Sequence, residues 1–204
     1  ISHLKNLLSQ TDILIHLAGE NRPKNFSDFQ SGNADFTKII ATSLLELKLN
    51  IPCIFASSTH AEIFKSLKPK NNPLYYYGKS KKNAEDILIK ACERLGSSLH
   101  IYRLPGVFGK WSKPNYNSVV STFCYNIARK RPIEISNPDA SIDLVYIDDV
   151  IESFIKKIKK PIKGHSFVQI KKTYAITLGR LSKLINNFSN SRFTLDAGNV
   201  GSGI

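Results

Sequence analysis

The run Tyr77-Gly78-Lys79-Ser80-Lys81 places a phenol and an ammonium four residues apart. On a helix this spacing puts Tyr77 and Lys81 on one face, about one turn from each other. A cation beside a phenol favours the phenolate. Lys81 is therefore expected to draw the Tyr77 pKa down, so that the phenol can give a proton to a carbonyl oxygen or take one from a hydroxyl. Tyr75 has Lys79 at the same spacing and is a competitor, while Tyr76 has Ser80 four residues on. A second candidate is Ser57-Ser58-Thr59, directly after the apolar run Cys53-Ile54-Phe55-Ala56. A hydroxyl there can bond a substrate oxygen, or it can cap a helix or a turn. The third is His16-Leu17-Ala18-Gly19, where an apolar run opens into a glycine that lets a ligand approach the backbone.

The elements that must position these residues follow a regular rhythm. Leu4, Leu7 and Leu8 have helical spacing, and residues 13–18 form an apolar run of the kind found in buried parallel strands. Apolar positions at Phe36, Ile39, Ile40, Leu44, Leu45 and Leu47 predict a helix over 31–48. A strand at 53–56, a helix from about Tyr77 to Leu95 capped by Gly96, and a strand at 99–104 follow. Strands alternating with helices predict an α/β fold, a Rossmann-like doubly wound parallel sheet with right-handed crossovers. Ligands in such sheets sit at the carboxyl ends of the strands, where all three candidates fall.

After Leu104 the rhythm changes. A loop rich in Pro, Asn and aromatics over 106–117 precedes a helix ending near Ala128, strand-like pieces at 133–135 and 144–146, and helices at about 148–158 and 178–188. The expected division is a partial dinucleotide-binding domain over 1–110 and a small substrate-side lobe over 111–204.

Composition fits a globular chain: 204 residues, 42% hydrophobic and 22% charged. The formal charge of +13 is mostly lysine in a chain also rich in Ile and Asn, and it reads as a solvated surface. The densest basic run, Lys156 to Lys163, has only Phe154 as a nearby aromatic, which argues against nucleic acid as a partner. Cys53, Cys92 and Cys124 suggest neither a disulfide framework nor a metal site, and they point to a reducing cytoplasm. The five histidines are dispersed, so no metal is expected. No apolar run reaches the roughly 18 residues that would span a membrane.

Taken in order, these features resemble the extended short-chain dehydrogenase/reductases that act on nucleotide sugars. They are a strand then Gly19, a strand then Ser57-Ser58, a helix with Tyr-Gly-x-Ser-Lys, then Arg103-Leu104-Pro105-Gly106-Val107-Phe108-Gly109. Tyr146-Ile147-Asp148-Asp149-Val150 is similar to that family's late Tyr-Val-Asp-Asp-Val segment, and the likeness covers about residues 11–190. Within it, His16 to Pro23, Phe108 to Val119 and Thr122 to Arg129 resemble the capsular polysaccharide reductases of CapF type. Those enzymes reduce a 4-keto UDP-N-acetyl-6-deoxy sugar.

The resemblance implies Tyr77 as general acid, Lys81 as its partner and Ser58 as the hydroxyl that orients the carbonyl, with Thr59 as the alternative. It implies NADP, or else NAD, as cofactor, held by Leu17, Ala18, Gly19, Tyr77, Lys81 and Leu104. It implies a UDP-sugar substrate met by Arg22, Lys110, Asn115 and Asn117, and a homodimer. The chain departs from the family at Gly106, where an Asn is usual, and at Ser141, near the place of a nucleotide-binding Arg. The absence of Met and the apolar pattern already present at Ile1 predict a chain cut at its front, upstream of which the glycine-rich phosphate loop would lie. No likeness to the C-terminal cupin domain of CapF-type enzymes is visible. Two other readings stay open: a 4-epimerase or 4,6-dehydratase on the same scaffold, or a non-catalytic dinucleotide-binding or basic RNA-associated module.

Overall fold

The computed structural model describes residues 2–196. Ile1 and the residues after Asp196, where the sequence shows no clear element, lie outside them. The chain forms two compact units. The first runs to Pro105 and takes in Ile151–Ile170; the second comprises Gly106–Val150 and the chain from Lys171 onward. Residues 151–170, expected in the second lobe, thus belong to the first unit.

The first unit is a four-stranded, wholly parallel sheet in the order β1 (Leu14–His16), β2 (Cys53–Ser58), β3 (Leu99–Leu104), β6 (His165–Val168). Between β1 and β2 come one helical turn, α2 (Ser27–Phe29), a π-helical turn at Gln30–Asp35, and α3 (Phe36–Glu46). Between β2 and β3 come α4 (His60–Ile63) and α5 (Pro73–Leu95), while α1 (Ser2–Leu8) precedes β1. The sheet alternates as its pleat requires. Cys53, Phe55, Leu99 and Ile101 face a core made with Ile40, Ala41 and Leu44 of α3 and Ala84, Leu88 and Ala91 of α5. On β3, Tyr102 packs its ring 4.5 Å from Phe154 and bonds Ser153 Oγ at 3.0 Å; both partners lie on α7 (Ile147–Ile158). Helices therefore contribute to both faces, and the sheet is doubly wound.

Helix α5 begins one turn earlier than the sequence pattern suggests. Asn72 Oδ1 accepts the Leu74 N–H at 3.1 Å and Pro73 takes the first helical position, where its missing N–H costs nothing. Gly96 ends the helix at φ 68° and returns its N–H to the last turn. Strand β6 was not expected; its four residues are too short and too polar to signal a strand outside the sheet.

In the second unit, β4 (Gly106–Phe108) pairs in parallel with β5 (Ser141–Tyr146), and β5 pairs antiparallel with β7 (Tyr174–Thr177). Helices α6 (Val119–Ala128) and α8 (Leu178–Thr194) share a core of Phe123, Leu181 and Ile185. Ser118 caps α6 and Thr177 caps α8. Ile133 and Ile135 form no strand. They reach this core from an irregular segment that follows the left-handed Lys130 and Pro132 and finds no ladder partner.

Candidate active site

The carboxyl end of β2 and the second turn of α5 meet. Ser58, 6% exposed, stands near enough to the Tyr77 hydroxyl to favour its phenolate. It also accepts the His60 backbone N–H at 3.3 Å and lies 3.2 Å from His60 Nδ1. The His60 and Tyr77 rings meet edge to face at 5.8 Å. Burial pushes the Tyr77 phenol up, and the nearby Ser58 hydroxyl opposes that rise. The opposing influence comes from Ser58, not from Lys81 as the four-residue spacing suggested.

Lys81 is directed elsewhere. It is buried, and its Nζ donates to the Ala56 carbonyl at 2.7 Å and stands 4.4 Å over the Phe55 ring. Burial takes its pKa down to about 8, against the raising influence of Glu85. At Gly19 an added Cβ would stand 2.7 Å from Asn33 Oδ1 and 3.5 Å from Lys81 Nζ, so the chain after β1 runs close beside the ammonium. Leu17, 63% exposed, Ala18 and Gly19 present an apolar, ligand-accessible stretch there. Leu104 ends β3, and its carbonyl accepts the Thr59 N–H at 3.2 Å. Ser58, Tyr77, Lys81 and Gly19 are thus brought together.

Arg22 lies on the exposed loop after β1, and its N–H bonds Glu20 Oε1. In the second unit Lys110 pairs with Asp148 at 2.7 Å. Asn115 adopts a left-handed conformation with its N–H on Thr122 Oγ1, and Asn117 is exposed just before the α6 cap.

Asn33, Thr37, Glu85 and His60 escaped the sequence analysis. Asn33 joins the site's elements: its amide bonds the Glu20 backbone and Ser80 Oγ, and its carbonyl receives Thr37, which in turn meets His16 Nε2 at 2.9 Å. Burial and the charge of Lys81 lower His16 to about 4, so it is neutral at working pH. Glu85 is 0% exposed; it accepts Ser57 Oγ at 2.6 Å and a two-pronged Arg103 at 3.0 and 2.8 Å. Arg103 also reaches Glu62 and stacks on Phe167. His60 is the fourth. For Glu85 a signal existed, because it shares the buried stripe of α5 with Lys81, Ala84 and Leu88.

A doubly wound parallel sheet with a serine, a tyrosine and a lysine at its strand ends defines a class of α/β enzyme scaffold. The sequence pattern of the NAD dependent epimerase/dehydratase family matches residues 1–170, and the chain belongs to that family. The UDP-2-acetamido-2,6-beta-L-arabino-hexul-4-ose reductase of Pseudomonas aeruginosa is 39% identical over 204 residues, which are 100% of this chain and 52% of that protein. The capsular polysaccharide assembling protein CapF of Staphylococcus aureus superposes with a TM-score of 0.76 at 33% identity, over 95% of this chain and 50% of that one. The chain therefore spans about half the length of these relatives. UDP-glucose 4-epimerase from Thermotoga maritima, at 18% identity, shares the fold with a TM-score of 0.77 over 93% of this chain and 65% of that one.

Proposed function

We propose that this chain carries the reduction of a 4-keto nucleotide sugar, of the UDP-N-acetyl-6-deoxyhexose type, in capsular or surface polysaccharide synthesis. The observation that carries the reading is the juxtaposition of Ser58 and Tyr77 at the end of β2, with Lys81 one turn further along α5. The reductase relative in Pseudomonas aeruginosa and the likeness to CapF support the substrate class.

A nicotinamide dinucleotide, NADP or else NAD, supplies the hydride when bound. The residues present fit such a group: Leu17, Ala18 and Gly19 offer an apolar stretch at a strand end, and the missing Cβ of Gly19 leaves room beside Lys81 Nζ. In this reading Ser58 holds the sugar's carbonyl oxygen and Tyr77 gives its hydroxyl proton to that oxygen as negative charge develops there. Lys81 supplies positive charge beside the cofactor. By resemblance, Arg22, Lys110, Asn115 and Asn117 are the candidate contacts for a UDP-sugar. Two copies associate, in keeping with the exposed apolar Phe36 and Ile39 of α3. The free thiols of Cys53, Cys92 and Cys124 support a reducing cytoplasm.

The test is net consumption of NADPH by the full-length protein supplied with a UDP-4-keto-6-deoxy-N-acetylhexosamine. Stoichiometric loss is expected. Sugar conversion with no net loss would overturn the reductase reading in favour of a 4-epimerase, which regenerates its cofactor.

A further inference from the structure

We infer that His60 is a proton-relay residue, returning a proton from solvent to Tyr77 through Ser58 after each turnover. This rests on the reductase reading above, which leaves Tyr77 short of one proton per cycle.

Three observations carry it. Ser58 Oγ lies 3.2 Å from His60 Nδ1 and close enough to the Tyr77 hydroxyl to favour its phenolate, while the His60 and Tyr77 rings meet at 5.8 Å. The His60 ring is half-buried, its Nδ1 faces Ser58, and its Nε2 has no hydrogen-bond partner among the described residues. The third is how the ring is held there. A Cβ on Gly78 would stand 2.3 Å from the His60 carbonyl and 2.7 Å from Phe64 Cβ. Only a glycine beside Tyr77 lets α4 lie so close to α5, and this closeness sets the imidazole against the phenol.

The other exits are less suited. Lys81 already donates to the Ala56 carbonyl, and His16 is 3% exposed and held by Thr37. Burial lowers the His60 pKa, so the ring is neutral at working pH and has one nitrogen free to accept.

The transfer balances. Once the substrate oxygen has taken the Tyr77 proton, the Ser58 hydroxyl proton passes to the Tyr77 oxygen. Ser58 takes the Nδ1 proton of His60, and Nε2 takes a proton from a buffer acid, whose conjugate base leaves. Exchange of the ring protons with water restores the starting tautomer.

The test compares wild-type full-length protein with His60→Gln and His60→Ala. Glutamine keeps a hydrogen-bond partner for Ser58 but cannot carry a proton through. In a single turnover, NADPH oxidation by His60→Gln should stay within about twofold of wild type, while its multiple-turnover kcat falls about tenfold. Added imidazole should restore most of the kcat of His60→Ala. Independently of activity, the ¹⁵N shift of His60 Nδ1 in the wild-type protein should move on Ser58→Ala. A wild-type kcat in His60→Gln, or a loss that imidazole leaves untouched, would overturn the relay while the reductase reading stands. A wild-type protein that consumes no NADPH would instead sink the reductase reading, and the relay with it.

Discussion

Glu85 Oε1 accepts the hydroxyl of Ser57 at 2.6 Å, in the interior and with no exposure to water. The same carboxylate takes both prongs of Arg103. One side chain on α5 thereby ties the last turns of β2 and β3 together, immediately before the residue that meets Tyr77. Substituting Glu85→Gln takes away the two-pronged charge partner of the partly buried Arg103 and leaves it only the exposed Glu62. A loss of about 1–3 kcal/mol of stability is expected, read from the midpoint of urea unfolding.

Tyr77→Phe removes the hydroxyl that stands beside Ser58 while keeping the ring's contacts with Phe29 and His60. The expected result is a fall in kcat of about 10²–10⁴-fold with cofactor affinity unchanged. Ser58→Ala should cost about a hundredfold through the lost hydrogen bond to the substrate oxygen. Steady-state kinetics with a fluorescence titration of NADPH separates the two effects. A Tyr77→Phe enzyme with full activity would remove the tyrosine from the mechanism.

The pH profile has a predicted direction. Lys81 is a cation below about pH 8 and loses its proton above it, because burial disfavours the charge. Activity that needs the ammonium should decline as the pH rises through that value. Glu85 holds the lysine's pKa up, so Glu85→Gln should move the decline to lower pH. The sign for stability is opposite. A lysine whose pKa is lower in the folded than in the unfolded chain destabilises the fold at neutral pH, and this penalty lessens as the pH climbs from about 8 toward 10.5. Stability measured at pH 7 and 10 checks the second statement once other titrating groups are matched with a Lys81→Met variant.

Gly78→Ala should destabilise despite alanine's better helix propensity. The propensity gain is about 1 kcal/mol, but the new methyl must displace backbone at the His60 carbonyl, a clash costing about 1–3 kcal/mol or more. A lowered Tm is expected, together with reduced activity, because α4 is pushed off Tyr77. An unchanged Tm would show that the two helices separate freely.

Local spacing made much of this legible. The parallel strands at β1, β2 and β3 announce themselves by apolar runs, and Tyr77 with Lys81 by their place on one helix face. Groups whose roles depend on distant partners stayed hidden. Glu85 follows Lys81 by four residues, a pattern that on most helices marks an exposed ion pair, and only the fold shows it buried against Arg103. Asn33 sits in a π-helical turn that no periodicity signals. Strand β6 joins the sheet only after the chain has passed through the second unit, and Ile133 and Ile135 alternate like a strand without a neighbour to pair with.

Helix α5 carries the phenol, the ammonium and the buried carboxylate on successive turns, from Tyr77 through Lys81 to Glu85. The three groups therefore stand or fall as a unit. Fraying of the helix back to its second turn would disarm the proton donor, the cation and the clasp on the strand ends in one event. If the proposed reduction holds, loss of turnover and loss of α5 protection against hydrogen exchange should run together.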